Sequence, residues 1–206
     1  ISDFFLKTIS PKAIILSGGP KSVNEQHSPK VNSIIYKLGI PILGICYGQQ
    51  LMMHQLGGKV KNSKFSSEFG RAFLKPKKET NLLEGWFKNS KEVVWMSHGD
   101  HVSKIAPGFE VFAISKNAPH AVVADTKRNF YGVQFHPEVY HTPKGILLFE
   151  NFLKIAGFNG DWTMQAYKKE MIRNIKDIVK KDRVVCGISG GVDSTVTATL
   201  IHKAIN

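Results

Sequence analysis

Short apolar runs recur along the chain: AIILSGG (13–19), IPILGIC (40–46), VVWMS (93–97), HAVVAD (120–125) and FYGVQFH (130–136). Their length and lack of strict alternation predict strands apolar on both faces, hence a sheet covered from both sides. Between them lie stretches at helical spacing, over 28–38, 48–56 and 144–156. In the last of these Ile146, Leu147, Phe149, Phe152 and Leu153 repeat at helical spacing. Strands alternating with helices predict an α/β fold with a mixed sheet.

After Ala156 the pattern breaks into GFNGDWT, glycine-rich and polar, which reads as a boundary. The expected organisation is a first domain over 1–156, a linker over 157–163 and a second unit over 164–206. That unit opens with a basic amphipathic helix in which Met171, Ile172, Ile175, Ile178 and Val179 recur at helical spacing. A strand (183–188), a glycine turn and a helix (about 194–204) complete it.

Composition changes this picture little. The chain of 206 residues is 42% hydrophobic and 21% charged, long enough to bury a core. It has no apolar run of about 18 residues, so no membrane partner is expected. Residues 1–9 lack the marks of a signal peptide, and a reducing cytoplasmic location is the expectation. The formal charge of +12 raises nucleic acid or phosphate-rich ligands as partners. The main basic cluster, Lys168, Lys169, Lys176, Lys180, Lys181 and Arg183, sits on the polar side of the amphipathic helix and reads as a solvated face, so no nucleic-acid partner is expected. The two cysteines, Cys46 and Cys186, form no CxxC pair, and neither a disulfide framework nor a metal site is expected.

Cys46 is the more telling. In PILGICYGQQL an apolar run enters Gly44, Cys46 and Gly48 and then a helical stretch, the G-x-nucleophile-x-G form of a nucleophile elbow. Glycines two residues to either side remove Cβ atoms that would clash in a cramped strand-to-helix turn. The helix start would favour a thiolate and lower the thiol below its free value of about 8.5. Cys186, inside a predicted strand, reads as packing.

In GVQFHPE (132–138), Pro137 forces His136 into extended backbone, so His136 and Glu138 face the same way. The carboxylate can then orient the imidazole as the acid does in a serine triad, which makes His136 the candidate base and acid for Cys46. His27, His54, His101, His141 and His202 have no such context, and the roles of His98 and His120 stay open. AIILSGGP (13–20) ends in two glycines whose N–H groups could face an oxyanion. CGISGGVDSTV (186–196) is strand, glycine loop and helix start, a backbone nest for phosphate without the lysine of a Walker A loop.

SGGP, GICYGQQ, MSHGD and GVQFHPE, in this order, resemble the class I glutamine amidotransferase family. GISGGVDS after GDWT resembles the opening of an ATP pyrophosphatase domain. The two in tandem are similar to the glutamine-hydrolysing GMP synthase family. The resemblance implies a mostly parallel mixed sheet flanked by helices, followed by the start of an α/β pyrophosphatase domain. It implies a triad of Cys46, His136 and Glu138 that hydrolyses glutamine, an oxyanion held by the N–H groups of Tyr47 and Gly19, and substrate contacts from Gln50 and Asp100. For the second unit it implies an ATP grip by Ser189, Gly190, Gly191, Asp193 and Ser194. The full-length enzyme would use ATP with Mg2+ to aminate XMP, as a homodimer; glutamine hydrolysis would need no cofactor.

Two departures bear on this. Family members carry a further strand and helix before the stretch that opens here, and they continue well past the phosphate loop. The chain therefore reads as a fragment of a longer protein, at most competent for the glutaminase half-reaction. Rival readings are an amidotransferase serving another pyrophosphatase-type synthetase, and an inert module that keeps the fold; a basic nucleic-acid binder would need a contiguous basic face.

Overall fold

The computed structural model describes residues 3–62, 67–88, 90–160 and 163–205. The elements are α1 (Asp3–Ile9), β1 (Ile14–Leu16), a 3₁₀ turn (Ser33–Lys37), β2 (Ile42–Ile45), α2 (Tyr47–Gln55), β3 (Lys59–Asn62) and β4 (Glu68–Pro76). A second 3₁₀ turn (Asn81–Leu83), β5 (Glu92–His98), β6 (Asp100–Lys104), β7 (Glu110–Ile114), β8 (Val122–Asp125) and β9 (Phe130–Val133) follow. The helices α3 (Gly145–Ile155), α4 (Met164–Val179) and α5 (Val192–Ile205) close the chain. It forms two compact units, residues 1–158 and 159–206.

The first unit is built on a sheet ordered β1-β2-β9-β8-β7-β4-β5, beside a β3-β6 ribbon. Parallel pairing is confined to β1, β2 and β9, and the remaining neighbours are antiparallel. The sheet is mixed, but the expectation that it is mostly parallel is corrected. Strands β7, β8 and β9 follow one another through short connections, which can only join antiparallel neighbours.

Strands β2, β8 and β9 are buried at every position, because the sheet is covered twice. On one face Tyr131, Phe135, Trp86, Leu148 and Phe152 pack under α3 and the 81–83 turn. On the other, Ile42, Leu51, Met52, Met53, Phe109 and Phe130 pack under α2 and the ribbon. Complete burial of side chains this size contributes about 1.5–3 kcal/mol each.

Two predicted elements differ. The helix expected over 28–38 is a 3₁₀ turn at 33–37, capped by the Asn32 side chain on Ile34 N–H. Residues 28–32, with Pro29 among them, are irregular, since proline cannot donate within a helix. The strand expected over 183–188 has no ladder; apart from this stretch the second unit holds two helices, and an extended segment becomes a strand only by pairing. Cys186 is accordingly half-buried in irregular backbone. On α4, Met171, Ile172, Ile175 and Val179 are half-buried and Ile178 is exposed, with the lysines turned out. Asp161 and Trp162 of the linker lie outside the described residues. No described helix is long and apolar enough to cross a membrane.

Candidate active site

The elbow at Cys46 is positioned by the sheet. The Cys46 N–H donates to Val133 O at 2.7 Å, extending the β2–β9 pairing, and α2 begins at the next residue. Cys46 has φ 50° and ψ −105°, a region costing about 1–3 kcal/mol for a residue with a side chain. The flanking glycines make the turn possible. A Cβ on Gly48 would lie 2.0 Å from Leu16 O, and one on Gly44 would lie 2.7 Å from Gln49 N. Helix α2 thus sits directly on the backbone of β1.

His136 follows β9, its N–H bonded to Trp95 O of β5 at 2.9 Å. Its Nδ1 lies 2.6 Å from Glu138 Oε1, while its Nε2 is buried and has no hydrogen-bond partner. Gly18 sits between the ring and Cys46: a Cβ built there would meet His136 Cε1 at 3.0 Å and Cys46 Cβ at 3.7 Å. The ring edge and the Cys46 Cβ therefore lie within 4 Å of one point. Glu138 fixes the ring through Nδ1, which leaves Nε2 as the atom able to exchange a proton.

The sulfur contacts Ser97 O at 3.6 Å and receives the Gln134 amide Nε2 at 3.7 Å. Burial pushes the Cys46 thiol up to about 11; the Tyr47 N–H and Gln134 oppose this, and Glu138 adds to it. The expected lowering is corrected. The helix start does supply a donor, but desolvation of a site this enclosed outweighs it. Cys46 rests as a thiol and needs a base to become a nucleophile.

A cleft of about 400 Å³ opens beside the sulfur, bounded by Gly19, Cys46, Gln50, Phe69, His98 and Asp100 among others. Gly19 packs on the Tyr47 side chain. The Asp100 carboxylate accepts from the Ser22 hydroxyl and from Asn62 Nδ2, the latter at 2.7 Å. Gln50 is 3% exposed, and its Nε2 donates to Asp100 O at 2.9 Å and to Gln134 Oε1 at 3.2 Å. Cys46, Gly19, Gln50 and Asp100 thus share one cavity.

His98 and His120, left open by the sequence, are tied into the protein. His98 Nδ1 lies 3.0 Å from Asp100 O and its Nε2 3.6 Å from Glu68; His120 Nδ1 lies 2.6 Å from Val102 O. Burial acts to raise Glu68, but bonds from His98, Ser115 and Asn117 prevail and hold it below the usual carboxylate range. Gln134 stood inside a quoted motif without a role, because an amide has no charge or spacing to single it out.

In the second unit, Ser189, Gly190 and Gly191 precede α5, and Asp193 and Ser194 lie in its first turn. Gly190 takes φ 83°, which suits glycine. The hydroxyls bond locally, Ser189 Oγ to Ser194 Oγ at 3.1 Å and Ser194 Oγ to Gly191 O at 3.0 Å. All five residues except half-buried Ser194 are exposed.

The family model for glutamine amidotransferase class-I matches residues 2–156, and that for NAD synthase matches 164–206. A glutamine-hydrolysing GMP synthase of Cereibacter sphaeroides is 58% identical over 206 residues, all of this chain and 40% of its own length. One from Ruegeria is 57% identical over 202 residues, 98% of this chain and 39% of its own. The chain thus spans about 40% of the length of the curated relatives it matches. Among solved structures, a candidate GMP synthase component from Thermoplasma acidophilum aligns with TM-score 0.61 at 27% identity, over 77% of this chain and 75% of that one. With three quarters of its residues under one family model, this chain belongs to the class I glutamine amidotransferase family.

Proposed function

We propose that the first unit hydrolyses glutamine to glutamate and ammonia. The observation that carries this reading is the buried, unpartnered Nε2 of His136 beside Cys46, with Nδ1 held by Glu138. The thiol proton passes from Sγ to His136 Nε2, and Sγ attacks the side-chain amide carbon. The carbonyl oxygen takes the negative charge, which the N–H groups of Tyr47 and Gly19 would stabilise. As the C–N bond breaks, His136 returns its proton to the leaving nitrogen, giving ammonia and a glutamyl thioester. Water, deprotonated by His136, cleaves the thioester and regenerates the thiol. Asp100 suits the substrate's ammonium group and Gln50 shapes the same end of the cleft.

In a longer protein of the relatives' kind the ammonia would aminate XMP to GMP with consumption of ATP; the relatives' name, glutamine-hydrolysing GMP synthase, supports this reading. Ser189, Gly190, Gly191 and Ser194 suit the departing phosphates: backbone N–H groups and hydroxyls gather at the start of a helix. Asp193 would supply a carboxylate for Mg2+, which would neutralise charge on those phosphates. A homodimer and a cytoplasmic setting belong to this same reading. The match to the NAD synthase model also fits a synthetase with another acceptor, so XMP-dependent ATP consumption by the full-length protein separates the two.

A glutamine-mimicking diazoketone tests the glutaminase reading. The expected result is one covalent adduct on Cys46, located by peptide mass spectrometry, and protection by glutamine. A folded protein that takes no adduct is an inert module.

A further inference from the structure

We infer that Gln134 is a positioning residue for the nucleophile, holding the Cys46 sulfur and tying it through Gln50 to the Asp100 end of the cleft; this rests on the glutaminase reading above. Gln134 is 1% exposed. Its backbone N–H is bonded to Ala121 O at 2.9 Å, so the side chain leaves from a fixed point. A buried amide of this kind is held in place only if its ends are partnered.

The direction of the amide follows from its neighbours. Gln50 Nε2 has two hydrogens, and the structure gives both an acceptor, Asp100 O and Gln134 Oε1. The Gln134 oxygen must therefore face Gln50, which turns its nitrogen, a donor only, toward the sulfur. Of the sulfur's other contacts, the Tyr47 backbone N–H donates and Ser97 O can only accept. Ser97 O and Gln134 Nε2 thus have opposite preferences: Ser97 O is satisfied by the thiol and repels a thiolate, whereas Gln134 Nε2 strengthens as charge builds on sulfur. Gln134 is the side-chain donor that remains bonded when the proton leaves for His136.

The other ionisable groups around the sulfur are His136 and Glu138 after β9, His98 and Asp100 at the adjoining ends of β5 and β6, and Lys21 and Glu25 after β1. None of them is bonded to it, so the loss of Gln134 leaves the backbone N–H of Tyr47 as the donor on the sulfur and no side-chain donor in its place. Burial has already raised the thiol, and the Gln134 bond is among the contacts that pull it back.

The test uses the full chain and two variants, Gln134→Met, which keeps volume without a donor, and Gln134→Glu, which keeps shape and puts an acceptor at the sulfur. The rate of Cys46 alkylation by iodoacetamide is followed against pH by peptide mass spectrometry, so that Cys186 is counted apart. The expected result is an alkylation midpoint at least one pH unit higher in Gln134→Met, about tenfold slower reaction below the midpoint, and a larger effect in Gln134→Glu. The turnover of glutamine falls by a similar factor while KM changes less than threefold. Should Gln134→Met lose its cooperative melting transition, Gln134→Glu decides. An unshifted midpoint in a variant that melts cooperatively overturns the inference. The reading beneath it fails differently: no diazoketone adduct on the unsubstituted chain, whatever the iodoacetamide midpoint does.

Discussion

Two glycine turns in this chain begin from the same sequence device, an apolar run entering a tight turn and then a helix, and end very differently. At Cys46 the run is a strand paired on both sides, by β1 and β9, and the turn is pinned by Val133 O below and Leu16 O beside it. At Ser189 the run has no ladder, and the loop is held by hydroxyl bonds within a few residues of itself. The lesson is that the elbow's geometry is a property of its sheet. A turn motif specifies a backbone path only where neighbouring strands leave no other.

The sharpest way to break the comparison is to add one methyl to each turn. Gly48→Ala drives a Cβ to 2.0 Å from Leu16 O, a backbone atom that cannot yield. The expected cost is about 3 kcal/mol or more, enough to unfold or inactivate the first unit. Gly187→Ala meets nothing within 4 Å, and a change within about 0.5 kcal/mol is expected. Urea melts of the two variants, followed by tryptophan fluorescence, check the contrast; equal losses would refute it.

A smaller effect follows from Glu138→Gln. The carboxylate is exposed over 45% of its side chain, so folding hardly depends on it. It nevertheless sets which nitrogen of His136 carries the proton. Glutamine turnover is expected to fall about 10- to 100-fold, with unchanged diazoketone labelling stoichiometry and an unchanged melt.

The least effect, and the one that extends the comparison to the support behind His98 in the cleft wall, concerns Glu68. Its carboxylate is held low by His98, Ser115 and Asn117, so the folded state favours the ionised form. That contribution is present above the unfolded carboxylate's titration near about pH 4 and is lost as pH falls through the lower folded value. Glu68→Gln is expected to lower stability by about 1 kcal/mol at neutral pH and to flatten the acid limb below that titration. A limb as steep as that of the unsubstituted chain would show that the ionised carboxylate is not what His98 and Ser115 stabilise.

What could be read from sequence follows the same line. Strands buried on both faces announced themselves, as at ILGI and FYGV. Strand β4 did not: EFGRAFLKP leaves Phe69 and Phe73 exposed and mixes charges among them, because its hairpin with β5 at the sheet margin needs no continuous apolar run. Strands β3 and β6 form a ribbon of alternating polar residues around Val60 and Val102 and give no apolar signal for the same reason. In the site, glycine spacing and the proline after His136 were visible because they constrain backbone. The thiol's rise and the Gln134 contact were not, since each depends on how much solvent the folded cleft excludes.

The elbow's anchoring reaches beyond chemistry. Cys46 hangs by its N–H from Val133, and His136 follows the same strand three residues later. Sulfur and imidazole share one rail, and thermal breathing that displaces β9 carries both together. Warming is therefore expected to leave their spacing intact until the sheet itself melts, so that heat inactivation and the melting of the first unit coincide.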